Sequence, residues 1–368
     1  MGIAGGGQLA QMMLPAAAEL GLAVVVLDPD PQCSAAGEAQ GVVVGEFQSA
    51  AALRELAGRC DVLTFEIERI NAAALAELEA EGHVVRPSAA TLATIQDKLE
   101  QKRFLARHDI PTSAFAAWES GTPLPRALPC VWKARRDGYD GRGVAILRDQ
   151  ADVAALPQAP ALIEALVDID YELAVLVARG HDGTLLHYPV VEIVMDDAAH
   201  VMDTVVAPAV APAAVMARVR ELATRVAEAF DYVGILALEF FVGRDGAVLV
   251  NEVSPRPHNS GHYTIEACAT SQFEQHLRAV AGLPLGSTAL RGAAVTFNVL
   301  GAPGARGRPC YLGFDRDDAD VFVHCYDKPE VRPGRKMAHV TVLAGDRDAA
   351  LARAAAIKPG IRVEGSNV

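Results

Sequence analysis

Residues 235–262 read ILALEFFVGRDGAVLVNEVSPRPHNSGH: two apolar runs joined at Asp245-Gly246, then a polar loop. Asp-Gly between alternating apolar residues signals a hairpin, because a two-residue type I′ turn needs positive φ at both central positions. That turn makes Arg244 face Ala247, and counting back sets Glu239 directly opposite Glu252, with Cβ atoms about 4.5–5.5 Å apart on one face. Two like charges flanked by Leu238, Phe240, Phe241 and Val250 call for a cation between them. Carboxylates at that spacing suit magnesium, which takes a few protein oxygens and keeps its other positions for water and phosphate. An edge strand with two solvated acids is the plain alternative, and the hairpin alone does not choose. The loop that follows adds guanidinium, imidazole and amide groups at Arg256, His258, Asn259 and His262, stiffened by Pro255 and Pro257, which fix φ locally. A stiff polar loop beside paired carboxylates favours an active site.

Working outward, 368 residues make two or three domains with ample core. A hydrophobic content of 51% with 5% aromatics fits an Ala/Val/Leu-rich α/β protein. The net charge of −13 argues against a nucleic-acid partner and leaves room for small anionic substrates held in a local basic pocket. The six cysteines show no metal-type spacing and read as buried thiols in a reducing compartment. No apolar run reaches membrane length and no leader pattern opens the chain, so the expectation is a soluble, cytoplasmic protein without a membrane partner.

The N-terminal stretch reads as a βαβ opening: a strand at 1–5, a turn at Gly5-Gly6-Gly7, a helix from Gln8 to Gly21 and a strand at 22–27 ending in Asp28. Glycines at a helix N-terminus free backbone N–H groups for a phosphate. The same spacing imitates the dinucleotide fingerprint, which keeps a nicotinamide or flavin enzyme as a rival. Strands at 41–44, 62–65 and 83–86 alternate with helices at 49–57 and 72–80, and Glu66 and Glu68 fall at a strand end, where open α/β sheets bind ligands. A further helix opens at Gln96-Asp97-Lys98. A strand then delivers Lys133 into a loop with Gly138, Gly141 and Gly143, whose backbone can fold over phosphates above the lysine charge. Residues 161–167 form a buried strand that runs into a connector. Helix 213–230 carries Val215, Val219, Leu222, Val226 and Phe230 at helical spacing, a core stripe. Ser271 and Glu274 suggest a capping box. Arg332, Arg335 and Lys336 on one Pro/Gly-rich loop look like an anion clamp or a solvated loop.

The lid around Lys133 and the stretch NEVSPRPHNSGH resemble the ATP-grasp superfamily, and the latter looks like the 5-(carboxyamino)imidazole ribonucleotide synthase family, the carboxylases of purine synthesis. The resemblance covers nearly the whole chain. It implies an α/β fold, α+β in parts: an N-terminal Rossmann-like domain at 1–97, a central lid domain at 98–168 and a C-terminal ATP-grasp domain at 169–368. The implied enzyme is an ATP-dependent carbon–nitrogen ligase, a homodimer that uses ATP, magnesium, bicarbonate and aminoimidazole ribonucleotide and passes through carboxyphosphate. By resemblance, ATP meets Lys98, Lys133, the lid Gly138, Tyr139, Asp140, Gly141, Arg142, Gly143 and Val144, and also Asn251 and Glu252. The hinge Glu164, Ala165, Leu166 and Val167 reads adenine, in part through the Glu164 carboxylate, and Glu172 accepts from ribose. The metal falls to Glu239 and Glu252. The ribonucleotide falls to Gly7, Gln8, Leu9, Glu66, Tyr139, Asp140, Arg142, His258, Asn259, Lys328, Arg335 and Lys336. Lys133, Arg142, Arg256 and His258 take the catalytic roles. The chain departs from the family at Arg69-Ile70-Asn71, and at Ile193 and Met195, where asparagine and histidine are common. That second change suggests a wall turned into a packing surface. A formate-using glycinamide ribonucleotide transformylase, a biotin carboxylase and a nucleotide-binding homologue without turnover are the rival readings.

Overall fold

In a computed structural model that describes residues 1–138, 143–196, 201–314 and 318–366, the short apolar runs at the start of the chain pair side by side. Strands β1 (Gly2–Ala4), β2 (Val25–Asp28), β3 (Gly41–Val44) and β4 (Leu63–Phe65) form a parallel sheet in the order β3-β2-β1-β4. Parallel strands need crossovers; helix Gln8–Glu19 carries the chain from β1 to its neighbour β2, and helix Ala50–Ala57, capped by Ser49 accepting from the Ala52 amide, carries it from β3 to β4 at the opposite edge. The run 83–86, expected as a fifth strand, makes only the single bridge of Leu63 to Val85. Helix Lys98–Arg107 leads onward, its first turn capped by the Asp97 carboxylate.

A small antiparallel sheet follows, ordered β5-β8-β6-β7, from β5 (Phe115–Trp118), β6 (Cys130–Ala134), β7 (Val144–Leu147) and β8 (Ala161–Ala165). Trp118, Trp132, Leu147 and Ile163 are its buried core. The largest sheet draws on β9 (Ile169–Arg179), β10 (Leu185–His187), β11 (Val191–Asp196), β12 (Val201–Ala207), β13 (Gly234–Gly243), β14 (Val248–Ser254) and β15 (Ala293–Leu300). Beyond β16 (Arg308–Leu312) the sheet gains β17 (Val321–Cys325) and β18 (Lys336–Ala344), and β19 (Arg362–Ser366) pairs with β16. Its order is β14-β13-β9-β11-β12-β15-β18-β17, with β10 also on β9.

Helix Ala213–Ala229 lays Val219, Leu222 and Val226 on β9 and β13, against Leu173, Leu236, Leu238 and Phe240. Each such side chain stabilises the layer by about 1.5–3 kcal/mol. Helix Gln272–Ala281 joins the first sheet to the largest: Phe273, Leu277 and Val280 pack with Leu9 and Met13. His276 bridges the two sheets, with Nε2 2.9 Å from Thr64 Oγ1 and Nδ1 accepting from the Ile235 amide. Only half of the expected capping box forms there, since Ser271 accepts from the Glu274 amide while the Glu274 carboxylate pairs with Arg278. No helix among the described residues is long and apolar enough to cross a membrane.

Candidate active site

Glu239 does lie opposite Glu252, but by a different route from the one the sequence suggests. The turn is a three-residue loop: Gly243 pairs with Ala247, and Gly246 sits at φ +81° and donates its amide to the Gly243 carbonyl. Val242 therefore faces Val248, one residue out of the expected register. A bulge at Asn251 restores it, since Phe240 faces Val250 while Glu239 faces Glu252. An extra residue on one strand bends the ladder and re-aims side chains. Here it keeps Val250 in the core and turns Asn251 and Glu252, neighbours in sequence, to the same site: Asn251 Oδ1 accepts from Lys133 Nζ at 3.0 Å, and Glu252 Oε1 from Lys98 Nζ at 2.5 Å.

Lys98 is thus the cation in this corner, directed at Glu252. Burial, then the charges of Glu252 and Glu172, pushes Glu239 up to about 8 against the pull of Lys98 and Lys336. Burial acts upward on Glu252 as well, but the charge and hydrogen bond of Lys98, helped by Lys133 and His258, hold it below the ordinary carboxylate value. One carboxyl protonated and the other paired with an ammonium leave the corner neutral. A divalent cation fits it by displacing one proton and one lysine. Among the described residues no three His, Cys, Asp or Glu side chains gather as a metal cage.

Lys133, on β6, also lies 3.3 Å from Glu164 Oε2. The Glu164 carboxylate is buried, with Oε2 against Lys133, Lys102 and Ser113 and Oε1 without a hydrogen-bond partner among the described residues, and the hinge also offers backbone at Ala165–Val167. Glu172 faces Ile193 and Phe241 across the sheet, and this apolar setting lifts it to about 7, with Lys133 acting the other way. Ile193 is buried, whereas Met195 is 37% exposed. Of the lid, Gly143 adopts φ +75° and its carbonyl accepts from the Ala134 amide; Tyr139, Asp140, Gly141 and Arg142 lie outside the described residues.

The loop after β14 reaches both sides of the cleft. Arg256 Nη2 stands 3.0 Å from Glu68 Oε1, which ties the loop to the first sheet. His258 Nδ1 accepts from the Ser260 amide, and its Nε2 lies 3.8 Å from Glu239 Oε1. Asn259 Nδ2 contacts Met202 Sδ at 3.6 Å. Across the cleft, at the helix N-terminus expected to bind phosphate, the Glu66 carboxyl takes the amides of Gly7, Leu9 and Ala10 at 2.9, 3.1 and 3.4 Å. Asp28 accepts from Gly6 and Asp30, the local tie of a strand-end acid. The basic loop is brought to this side: Tyr326 O accepts from Ser34, and Asp327 from Gln11. Lys328 donates to the Lys336 carbonyl and covers the Tyr326 ring, and Arg335 donates to the Glu330 carbonyl. Arg332 departs from the expected clamp, being 67% exposed and paired with Glu330.

Three family models match the chain: the ribonucleotide synthetase preATP-grasp domain at 1–96, the ATP-grasp domain at 103–273 and the phosphoribosylaminoimidazole carboxylase C-terminal domain at 294–353. The N5-carboxyaminoimidazole ribonucleotide synthase of Synechococcus elongatus is 41% identical over 355 residues, covering 93% of this chain and 89% of its own. The chain belongs to the N5-carboxyaminoimidazole ribonucleotide synthase family. The Thermotoga maritima synthetase of that name superposes with a TM-score of 0.91 at 41% identity over 99% of both chains. The Aspergillus clavatus synthase, solved with ADP and 5-aminoimidazole ribonucleotide, gives 0.86 at 32% identity over 97% of both. Membership in the synthase family makes this an ATP-grasp ligase and sets aside the transformylase, biotin carboxylase and dinucleotide readings.

Two residues of this synthase-family site were missed in the sequence. Lys102 is buried beside Glu164, and its signal was its place one helical turn after Lys98. Gln272 is fully buried, accepts from the His258 amide and donates to the His258 carbonyl, fixing the loop by its backbone. Nothing in its local sequence marks it.

Proposed function

We propose that this chain joins bicarbonate to 5-aminoimidazole ribonucleotide at the expense of ATP, giving 5-(carboxyamino)imidazole ribonucleotide, ADP and phosphate in purine synthesis. The observation that carries the reading is the bulged strand β14, which hands Asn251 to Lys133 and sets Glu252 opposite Glu239. The relative from Aspergillus clavatus, solved with ADP and the ribonucleotide, supports it.

Bicarbonate is a poor electrophile, and transfer of the γ-phosphoryl group of ATP to one of its oxygens gives carboxyphosphate and ADP. The exocyclic amine of the ribonucleotide then attacks the carboxyl carbon. The C–N bond forms, the bond from carbon to the phosphate oxygen breaks, phosphate leaves and the amine sheds a proton. Glu239 and Glu252 would hold magnesium, which supplies charge neutralisation at the transferred phosphoryl group. Lys133 and Lys98 place fixed positive charge on the phosphate oxygens, where preorganised charge in a dry site acts most strongly. The backbone of Ala165–Val167 meets adenine, and Glu172, held near neutral pH, meets the ribose hydroxyls. Arg256 and His258, with Tyr139, Asp140 and Arg142 by resemblance, bring bicarbonate and amine together, and a weak but neutral amine needs positioning more than deprotonation. Lys328, Arg335 and Lys336 take the ribonucleotide phosphate, beside Gly7, Gln8, Leu9, Glu66 and Asn259. The division at 1–97, 98–168 and 169–368, a homodimer and a cytoplasmic location belong to this proposal through the resemblance alone.

ADP release, assayed with each substrate omitted in turn, tests the reading. Turnover that requires ATP, bicarbonate and aminoimidazole ribonucleotide together is expected; ADP release at the same rate without the ribonucleotide overturns it.

A further inference from the structure

Behind Lys133 the fold buries a second lysine that the mechanism above does not use. Lys102 is 2% exposed, and its Nζ lies 2.6 Å from Thr112 Oγ1 and 3.0 Å from Ser113 Oγ. Both hydroxyl hydrogens are already committed: Thr112 donates to the Val250 carbonyl at 2.7 Å, and Ser113 to Glu164 Oε2 at 2.5 Å. Both oxygens must therefore accept from Lys102. A neutral amine has the two N–H groups this needs, and an ammonium has a third. The acceptor for the third is Glu164 Oε2 at 3.4 Å, the same oxygen that lies 3.3 Å from Lys133. One buried carboxylate is thus the counter-ion of two lysines, one of which is poised to leave it.

We propose that Lys102 is a positioning residue for Lys133, taking up one proton from solvent when Lys133 passes from Glu164 to the nucleotide phosphates, so that Glu164 keeps a cation throughout. The inference rests on the reading of Lys133 as the phosphate lysine. Removing one partner of a buried ion pair is strongly unfavourable, and a second lysine already in contact offsets that loss without any movement of the backbone. The groups that face Lys102 are Glu164 from β8, Lys133 from β6 and Lys98 from its own helix; the 111–113 segment and β14 offer only hydroxyls and a carbonyl. Burial brings Lys102 down to about 7, Glu164 opposes it, and Lys133 and Lys98 add to the lowering. Departure of Lys133 removes one repulsion and frees a lone pair of Glu164, and both changes favour the ammonium.

Calorimetric titration of the full chain with ADP, in chelator so that no metal displaces the proton of Glu239, reads the proton directly when repeated in buffers of different ionisation enthalpy. The parent is expected to take up little at pH 6 and about half a proton or more at pH 8, with ADP affinity falling by up to about tenfold per pH unit above 7. Lys102→Met and Lys102→Arg should both bind ADP without that uptake and without that pH dependence, a readout that a purely structural lysine does not move. Absence of uptake in the parent from pH 6 to 9 overturns the inference, whatever the variants do. Uptake that persists in Lys102→Met overturns it too, because the proton then belongs to another group, Glu172 being the first candidate. Lys133→Met separates this from the underlying reading. Lost ADP affinity there, with no uptake in the parent, sinks only the role of Lys102. Unchanged affinity removes Lys133 from the phosphates, and the inference falls with it.

Discussion

Replacing Glu239 by glutamine removes the carboxyl that the fold holds at about 8, and the structure sets how stability should respond to pH. In the unfolded chain a glutamate titrates near 4.5. Between those values the folded protein keeps a proton that the unfolded chain has released, so the parent loses stability as pH rises through this window and loses no more above 8. The whole displacement corresponds to about 5 kcal/mol, or about 1.4 kcal/mol for each pH unit. Glutamine does not titrate and keeps the size of the protonated acid. Its advantage over the parent should therefore widen by about 2–3 kcal/mol between pH 6 and pH 8. Urea denaturation of both proteins in chelator at pH 6, 7 and 8 measures it. A gap that stays constant with pH refutes the assignment of the raised carboxyl to Glu239. Turnover of the same variant, and of Glu252→Gln, should fall by about 10²-fold or more, as when charge stabilisation of a transition state is lost.

Arg335→Met should raise KM for the ribonucleotide and leave KM for ATP nearly unchanged, since a hydrogen bond to a charged group is worth about 1.5–3 kcal/mol; equal effects on both substrates would move that loop out of the phosphate site. Met195→His should change KM for ATP by less than about tenfold, the worth of one ordinary hydrogen bond at about 0.5–1.5 kcal/mol, and an ATPase that appears only in this variant would mark the parent as a binding protein without turnover. Gly246→Ala places a side chain at φ +81°, at a cost of about 1–2 kcal/mol, visible as a lower urea midpoint with kcat intact; an unshifted midpoint contradicts the three-residue turn.

The opposition of Glu239 and Glu252 follows from the sequence only if Asp245-Gly246 makes a two-residue turn, and the structure reaches the same pairing through two offsets that cancel, a three-residue loop and the bulge at Asn251. The turn itself was misread, since a Gly at positive φ serves both a two-residue and a three-residue loop. The compensating bulge shows only in the structure, where the buried valines of β14 step from 248 to 250 to 253; in the sequence the apolar Leu249 hides that step. The run at 83–86 misled for the opposite reason, being apolar enough for a strand but bridging β4 only at Leu63. The roles of Lys102, Gln272 and Glu66 were beyond reach from the sequence, because a buried polar side chain is defined by its partners. Those partners are Glu164, 62 positions away, the backbone of His258, 14 positions away, and the amides at 7–10, more than 50 positions away.

Lys98 gives the acidic corner a resident counter-ion on the same chain, bonded to Glu252 at 2.5 Å. The hairpin therefore does not rely on a free ion to hold its two acids together while the protein is made, purified or stored. Exhaustive dialysis against a chelator should stop the enzyme without unfolding it, and activity should return on adding back the metal. A bare divalent ion must first evict an ammonium, whereas an ion arriving on the nucleotide brings phosphate oxygens that can receive that ammonium in exchange. Ion and nucleotide should then load as one package, and metal alone should bind poorly even at a pair of glutamates.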